Sequence, residues 1–295
     1  MRDYVILTDS CSDMYKELRE KYNIDYVRNT FAVDGTTYIA DLDWKEVSAP
    51  DFYNLMRDGK RIFTSQVHMD EFLTKFEYYV SNNIDVLYIA CSSALSASIN
   101  ASIKAKDTIL EKYPNAKIIC IDSLRSTLAL ANIMVVAGKL KASGKSIDEV
   151  ANWVEENKLT LVMEATVDNL KYLKQAGRVS AASAFFGGLL NIKPIIVGDA
   201  LGRNFAVEKV KGRKQSLERL VARMKEEYLD VPHQVVSIAH ADCIEEALEL
   251  KEMVQKEFNG IDINIGYVGP CVGASTGPGM IALSFFGKRV TLNEE

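Results

Sequence analysis

The sequence predicts an α/β fold built on a parallel sheet, and three observations carry that prediction. Apolar runs alternate with helical patterns from the first residues onward. Three of those runs, Tyr4–Leu7, Val86–Ala90 and Lys117–Ile121, stop abruptly in polar residues: Thr8-Asp9-Ser10, Cys91-Ser92-Ser93 and Asp122-Ser123. Helical periodicity follows each stop. Strands alternating with helices form parallel sheets with helices on both faces. Ligands of open sheets of this kind lie beyond the carboxyl ends of the strands.

In chain order, Tyr4–Leu7 reads as a strand, followed by a polar turn and a helix reaching Tyr22. Ile24–Val33 and Thr36–Ala40 flank Asp34-Gly35, a hairpin signal. Asp51–Asp58 reads as a short helix that Gly59 ends, Arg61–Gln66 as a hydroxyl-bearing loop, and Met69–Ser81 as a helix. Ile84–Ser102 is the organising stretch, a buried strand feeding a helix from about Ala97, with Ser93, Ser96 and Ser98 at the turn. Helix starts expose unpaired N–H groups and partial positive charge, and so attract anions. A serine at that place also serves as a plain helix cap. The strand Lys117–Ile121 leads to a helix ending at Lys141, with Arg125, Ser126 and Thr127 opening it.

Ala142–Ser146 looks like a linker or helix end, and Ile147–Asn157 is helical. The strand Leu159–Val167 opens a second unit, giving an N-terminal α/β domain over residues 1–158 and a C-terminal one with a mixed sheet over 159–295. Asn169–Ala176 is helical, whereas Ser183–Leu190 is apolar, glycine-loosened and of undetermined type. Ile192–Val197 and Asn204–Lys209 straddle a turn and read as an antiparallel pair. The helix Lys214–Tyr228, the strand Gln234–Ala239 and the helix Cys243–Phe258, capped by Asp242, come next. The strand Ile261–Val268, a glycine-rich turn at Gly269–Gly279 and the strand Met280–Phe286 complete the unit.

With 295 residues and 48% hydrophobic content, the chain has ample material for a sizeable core. A net charge of −5 argues against nucleic-acid binding, which needs a basic surface. The start, MRDYVILTDS, does not read as a signal peptide, so none is expected, and the longest apolar segment, Leu128–Ala137, is broken by Asn132 and too short for a bilayer. A cytoplasmic protein without stable membrane insertion is expected. The five cysteines are scattered with no C-x-x-C, and the three histidines lie far apart, so reduced buried thiols are expected and no metal site.

Gly273-Ala-Ser275-Thr-Gly277 matches the G-x-S-x-G of a hydrolase elbow. That elbow needs a helix at once, and Gly277-Pro278-Gly279 opposes one. The glycines fit a tight turn or a close backbone approach to a ligand. Asp9 and Asp122 could act as paired carboxylates, although aspartate after a strand is usually a turn residue. Phe185, Phe186, Leu189 and Leu190 around Gly187-Gly188 read as core or as room for an apolar ligand. Arg178, Arg203, Lys209, Lys211, Arg213 and Lys214 give the second unit a basic neighbourhood, either a solvated face or a surface for a phosphate or acidic partner.

Several motifs together resemble the DegV family, including the fatty-acid-binding subunits (FakB) of bacterial fatty acid kinase. They are Leu7-Thr-Asp-Ser-Cys-Ser-Asp13, Thr64-Ser-Gln66, Ser92-Ser-Ala-Leu-Ser96, Ile121-Asp-Ser123, Leu173-Lys-Gln-Ala-Gly-Arg178, Leu190-Asn-Ile-Lys-Pro194 and Gly273-Ala-Ser-Thr-Gly-Pro-Gly279. The order and spacing carry the resemblance, which runs nearly end to end. It implies two α/β domains with a long-chain, palmitate-like acyl group between them, and its carboxylate on the hydroxyls of Thr64 and Ser96. FakB-type members present that carboxylate to a separate ATP-binding kinase subunit. Arg178 falls where the family has an arginine near the carboxylate end, for a phosphate or the kinase. Ser275 stands where the family usually has histidine, and Lys211-Gly212 where it has arginine-glycine.

The expectation is therefore a non-catalytic fatty-acid-binding protein with no cofactor. Thr64, Ser96, Ser93 and Ser275 would surround the carboxylate, Phe185, Phe186, Leu189 and Leu190 the acyl chain, and Arg178 and Lys211 a partner or phosphate. The competing expectation is a phosphotransferase or hydrolase acting on a small anion in the same crevice.

Overall fold

The computed structural model describes residues 2–180 and 191–294. Its first half runs β1 (Tyr4–Asp9), a 3-10 turn (Ser10–Ser12), α1 (Lys16–Tyr22), β2 (Ile24–Val27), β3 (Asn29–Val33), β4 (Thr36–Ala40), α2 (Ala49–Arg57) and β5 (Phe63–Ser65). It continues with α3 (Met69–Ser81), β6 (Asp85–Ala90), α4 (Ser98–Lys112), β7 (Ile118–Asp122), α5 (Thr127–Ala142) and α6 (Ile147–Asn157). After a 3-10 turn (Lys158–Thr160) come β8 (Leu161–Thr166), α7 (Leu170–Ala176), β9 (Val179–Ser180), β10 (Ile192–Gly198) and β11 (Asn204–Lys211). The chain closes with α8 (Arg213–Glu227), β12 (Val236–His240), α9 (Ile244–Glu257), β13 (Ile263–Tyr267), α10 (Pro270–Thr276) and β14 (Ile281–Phe286).

The first sheet has the order β2-β1-β6-β7, parallel throughout, with Ile6 opposite Leu87 and Leu87 opposite Ile119. β1 and β6 are buried along their whole length, as strands covered on both faces must be. Val5, Leu7, Val86 and Tyr88 meet Phe72 and Phe76 of α3 and Ala105 of α4. The alternate residues Ile6, Leu87 and Ile89 turn the other way, into the cluster that contains α5. A second sheet has the mixed order β13-β12-β14-β8-β10-β11-β9. Val162, Ile238, Ile281 and Leu283 of that sheet pack under Leu217, Leu220 and Met224 of α8 and Leu250 and Val254 of α9. The fold is thus α/β, one parallel and one mixed sheet, as the alternation of strands and helices predicts.

α5 joins the layers. Thr127–Gly138 is buried without interruption, the pattern of a helix with no solvent face. It touches β1 on one side and β8, β12 and β14 on the other. Asn132, the polar interruption, is satisfied there: its amide donates to Val235 O at 3.0 Å, and its Oδ1 accepts from Ser237 Oγ at 2.5 Å. Just ahead of α5, Arg125 is 2% exposed and crosses to the second sheet. Its Nε donates to Leu161 O at 2.7 Å and its Nη1 to Asp199 O at 3.1 Å. Burial draws its pKa down to about 10, so the guanidinium keeps its charge at neutral pH.

Four local expectations need correction. Ile24–Val33 is not one strand: β2 joins the parallel sheet, whereas β3 pairs with β4 and β5 in a small antiparallel sheet. The chain leaves the first sheet where the Asn29 N–H donates to Ser10 Oγ at 3.1 Å, a side chain rather than a strand neighbour. Arg61–Gln66 is not all loop, because β3 captures Phe63–Ser65 as β5. Gly269–Gly279 holds the helix α10, since Pro270 at its first turn has a ring-fixed φ suited to a helix start. Asp242 does not cap α9; its φ is 54° and its carboxylate pairs with Arg57 at 2.6 Å. The Asp34-Gly35 hairpin forms, with φ of 50° and 81° at its two central residues.

Glu164 in β8 gives a pH test of this packing. It is fully buried, one oxygen accepts from Arg223 Nε at 2.7 Å, and the other has no partner. Burial outweighs the arginine and raises its pKa to about 7. A carboxyl that holds its proton more tightly folded than unfolded stabilises fully below its unfolded pKa, and the gain is lost as pH rises through the folded value. At about 1.4 kcal/mol per unit the change amounts to roughly 3 kcal/mol. Denaturant melts at pH 5 and pH 8 should show wild type losing more stability than Glu164→Gln over that interval. Equal losses in both proteins would contradict the assignment.

Candidate functional site

The carboxyl ends of β1 and β6 meet β5, β9 and α10 around a cavity of about 230 Å³. Cys11, Cys91, Leu95, Ser96 and Ser126 reach it from the loops after β1, β6 and β7. Thr64, Ser65 and Gln66 form a second wall, and Cys271, Val272, Ser275 and Thr276 of α10 a third. Arg178, Val179 and Asn204 come from the β9–β11 edge of the large sheet. The site therefore draws on both sheets.

Ser96 owes its place to the turn after β6, where its N–H donates to Ser92 O at 3.0 Å. Its Oγ accepts from the Ser98 N–H at 3.3 Å and lies 2.9 Å from Ser98 Oγ. Ser98 Oγ in turn accepts from the Val67 N–H at 3.0 Å, which ties the segment after β5 to the start of α4. Neither Ser93 nor Ser96 caps that helix: its cap position is Ala97, without a side-chain bond. Thr64 is set by strand pairing opposite Phe31, and the Asn29 amide holds Ser65 O at 3.1 Å.

α10 carries Ser275 and is pressed onto its neighbours at two glycines. A Cβ on Gly273 would stand 2.5 Å from Tyr53 Oη, a hydroxyl that donates to Val268 O at 2.6 Å. A Cβ on Gly277, whose φ is +77°, would stand 2.0 Å from the Tyr172 ring. In this G-x-S-x-G the helix precedes the last glycine rather than following the serine, and none of the described residues lining the cavity is a histidine. The arrangement is not a hydrolase elbow.

The structure brings Thr64, Ser96, Ser275 and Arg178 to one cavity, but not the other anticipated polar residues. Ser93 is exposed, and its N–H donates to the Asp122 carboxylate at 3.2 Å, away from the lining. Lys211 is exposed at the end of β11 opposite Ile192, also away from it. Phe185, Phe186, Leu189 and Leu190 lie outside the described residues. Other strand-end hydroxyls are occupied: Ser10 accepts from Asn29 N, Ser123 from Arg125 N, and Ser92 donates to Gly202 O at 2.7 Å. Asp9 and Asp122 serve turns separately. Asp9 accepts from Cys11 N, Cys91 N and the Tyr88 hydroxyl, and Asp122 from Ser93 N and Leu124 N.

Burial pushes the Asp9 carboxyl up to about 8, and the Cys271 and Cys91 thiols beside Cys11 draw its thiol well below the ordinary value. Among the described lining residues, Arg178 is the one charged side chain. A recess of about 160 Å³ shares Thr64, Arg178 and Ser275 and adds Lys60 and Arg61, making a cationic mouth. On the inner side a narrow recess of about 20 Å³ shares Ser126, Val272 and Thr276 and is walled by Met163, Ala165, Val167, Ile196 and Met280. Polarity thus falls from mouth to interior. Sequence reasoning missed the meeting of Cys11, Cys91 and Cys271; the one available signal was that Cys11 and Cys91 each follow a strand end. Asn29 and Asn204 gave none.

Comparison with known proteins gives a consistent result. Residues 3–288 match the family model described as "Uncharacterised protein, DegV family". A DegV domain-containing protein of Clostridium perfringens is 40% identical over 287 residues, covering 97% of this chain and 98% of that protein. Among solved structures, DegV of Bacillus subtilis, described as a fatty acid binding protein, is 26% identical with a TM-score of 0.83, covering 98% of this chain and 100% of that one. A DegV lipid binding protein of Thermotoga maritima is 25% identical with a TM-score of 0.84 over the same shares.

The seating of α10 is open to a direct test. Gly277→Ala adds a Cβ where φ is positive and the Tyr172 ring already stands. Strain of this kind costs about 1–3 kcal/mol. Thermal melts of Gly277→Ala should fall by several degrees, while Gly144→Ala, also at positive φ but with nothing near its Cβ, should fall less. Equal shifts would show that the close approach to Tyr172 does not matter.

Proposed function

This chain belongs to the DegV family, and on that premise we propose that it binds a long-chain fatty acid, with the carboxylate at Thr64, Ser96 and Ser275 and the tail directed inward. The observation that carries the reading is the polarity gradient of the cavity, cationic at Lys60, Arg61 and Arg178 and apolar at Met163, Val167, Ile196 and Met280. An amphipathic anion fits that gradient; a small polar substrate leaves its inner end unused. Relatives described as fatty acid binding and lipid binding support the same reading.

The Ser96 and Ser98 hydroxyls lie 2.9 Å apart and either can donate; in the bound state Ser98 donates to Ser96, which frees the Ser96 proton for a carboxylate oxygen. Thr64 donates from the facing wall. The inner recess is narrow, and an entering chain parts Met163 and Met280, unbranched side chains that repack readily. Burying about fourteen methylenes contributes on the order of 11 kcal/mol before association costs. Hydrogen bonds to the charged head contribute about 1.5–3 kcal/mol each. Tail burial therefore sets affinity, while the hydroxyls set orientation.

The head lies next to the cationic mouth, so the protein presents its ligand's carboxylate to an outside partner, a kinase subunit in the FakB manner, without itself doing chemistry. Arg178, exposed with one guanidinium nitrogen on Ala176 O at 2.7 Å, is the residue assigned in this reading to an incoming phosphate.

Mass spectrometry of an organic extract of the purified protein should find about one long-chain fatty acid per chain. An extract free of acyl lipid, with turnover of a small anionic substrate, would replace this reading with an enzyme. Ser96→Ala and Thr64→Val should each weaken retention of a fatty acid roughly tenfold, but leave retention of the alcohol of equal length within about twofold. Equal losses for both ligands would remove these hydroxyls from the head-group site.

A further inference from the structure

Three of the five cysteines, 80 and 180 residues apart in sequence, meet at the cavity floor. Cys11 lies in the 3-10 turn after β1, Cys91 directly after the neighbouring strand β6, and Cys271 in the first turn of α10. We propose that Cys11, Cys91 and Cys271, with the carboxylate of Asp9, form a binding site for a thiophilic divalent cation, zinc(II) above all. It stands independently of the acyl-binding reading.

The geometry is the first argument. The carboxylate of Asp9 and the sulfurs of Cys11 and Cys91 all lie within 4.8 Å of one another, and Cys271 lines the same cavity from the first turn of α10. Zinc–sulfur bonds of about 2.3 Å in a tetrahedron place sulfurs about 3.8 Å apart, so a contraction of about 1 Å or less would close Asp9, Cys11 and Cys91 on a metal, and Cys271 would turn in from α10 as the fourth ligand. Sulfur ligands favour zinc over magnesium or calcium, which prefer oxygen.

The support around the ligands is the second argument. Asp9 is oriented by Cys11 N at 2.9 Å, Cys91 N at 2.9 Å and the Tyr88 hydroxyl at 2.8 Å, the outer-shell bonding that holds a ligating carboxylate in place. All three of those partners are neutral donors, so none of them supplies the positive charge that a bound cation would bring to the carboxylate. Cys11 and Cys91 sit at the ends of adjacent strands of one sheet, a rigid base. The cavity itself is the entry path, since all three thiols line it.

Thiols also serve ordinary packing or hydrogen bonding, and the other two cysteines do so apart from this cluster. Cys120 packs among the residues around α3 and α4, and Cys243 lies 3.5 Å from Met280 O. Those two serve as internal controls.

The test uses the full-length, metal-stripped, reduced protein titrated anaerobically with cobalt(II). One cobalt per chain should bind with a thiolate-to-metal charge-transfer band, and zinc(II) should displace it. Cys271→Ser and Cys91→Ser should each lower cobalt affinity tenfold or more, and Cys120→Ser should not. Iodoacetamide labelling of wild type, mapped by mass spectrometry, should show zinc protecting Cys11, Cys91 and Cys271, but not Cys120 or Cys243; this holds the test open even where a variant does not fold. Absence of the charge-transfer band, or equal labelling of the three thiols with and without zinc, overturns the proposal. Acyl lipid measured in the same preparation keeps this outcome separate from that of fatty acid binding.

Discussion

A helix with no face for water imposes the architecture. From Thr127 to Gly138 α5 is buried at every residue, so it must be covered on every side. One sheet cannot do that. The parallel sheet covers it through β1, and the mixed sheet through β8, β12 and β14. The two sheets are therefore held at the distance of one helix, and a seam opens between them where α5 begins. Asn132 bonded to Val235 and Ser237, and Arg125 bonded to Leu161 and Asp199, fix the helix against the second sheet by directional contacts. Apolar packing alone would allow sliding. Directional bonds from buried polar groups favour one position.

The candidate site is a consequence of that seam. Parallel strands all end on one edge, so the turns after β1, β6 and β7 gather there. The second sheet closes the opposite side with β9 and β11, and α10 fits between them because Gly273 and Gly277 leave room for Tyr53 and Tyr172. Most strand-end hydroxyls are consumed in holding these turns together. Thr64, Ser96 and Ser275, which line the cavity, come from elements the seam brings face to face.

Much of this was legible in the residues. The strand-end signatures, the helical pattern ending near Lys141 and the ordered motifs were enough for the fold class and for the placing of Thr64, Ser96, Ser275 and Arg178 in one crevice. What failed did so for identifiable reasons. Ser93 shares its neighbours' chemistry, but a turn points its amide at Asp122, and nothing in residue type reveals that direction. The segment 269–279 looked like a turn because its glycines outweighed the helix-starting Pro270. Phe63–Ser65 has no strand pattern of its own and becomes a strand only because β3 offers an open edge.

The sequence by itself determined the alternation of strands and helices, the parallel sheet and the polar character of its carboxyl edge, because periodicity and residue type act locally along the chain. Only the tertiary structure decided which hydroxyls line the cavity, that β2 and β3 part into different sheets, and that cysteines at positions 11, 91 and 271 share that cavity. Those outcomes depend on contacts between residues far apart in sequence, and such contacts exist only once α5 has been buried between its two sheets.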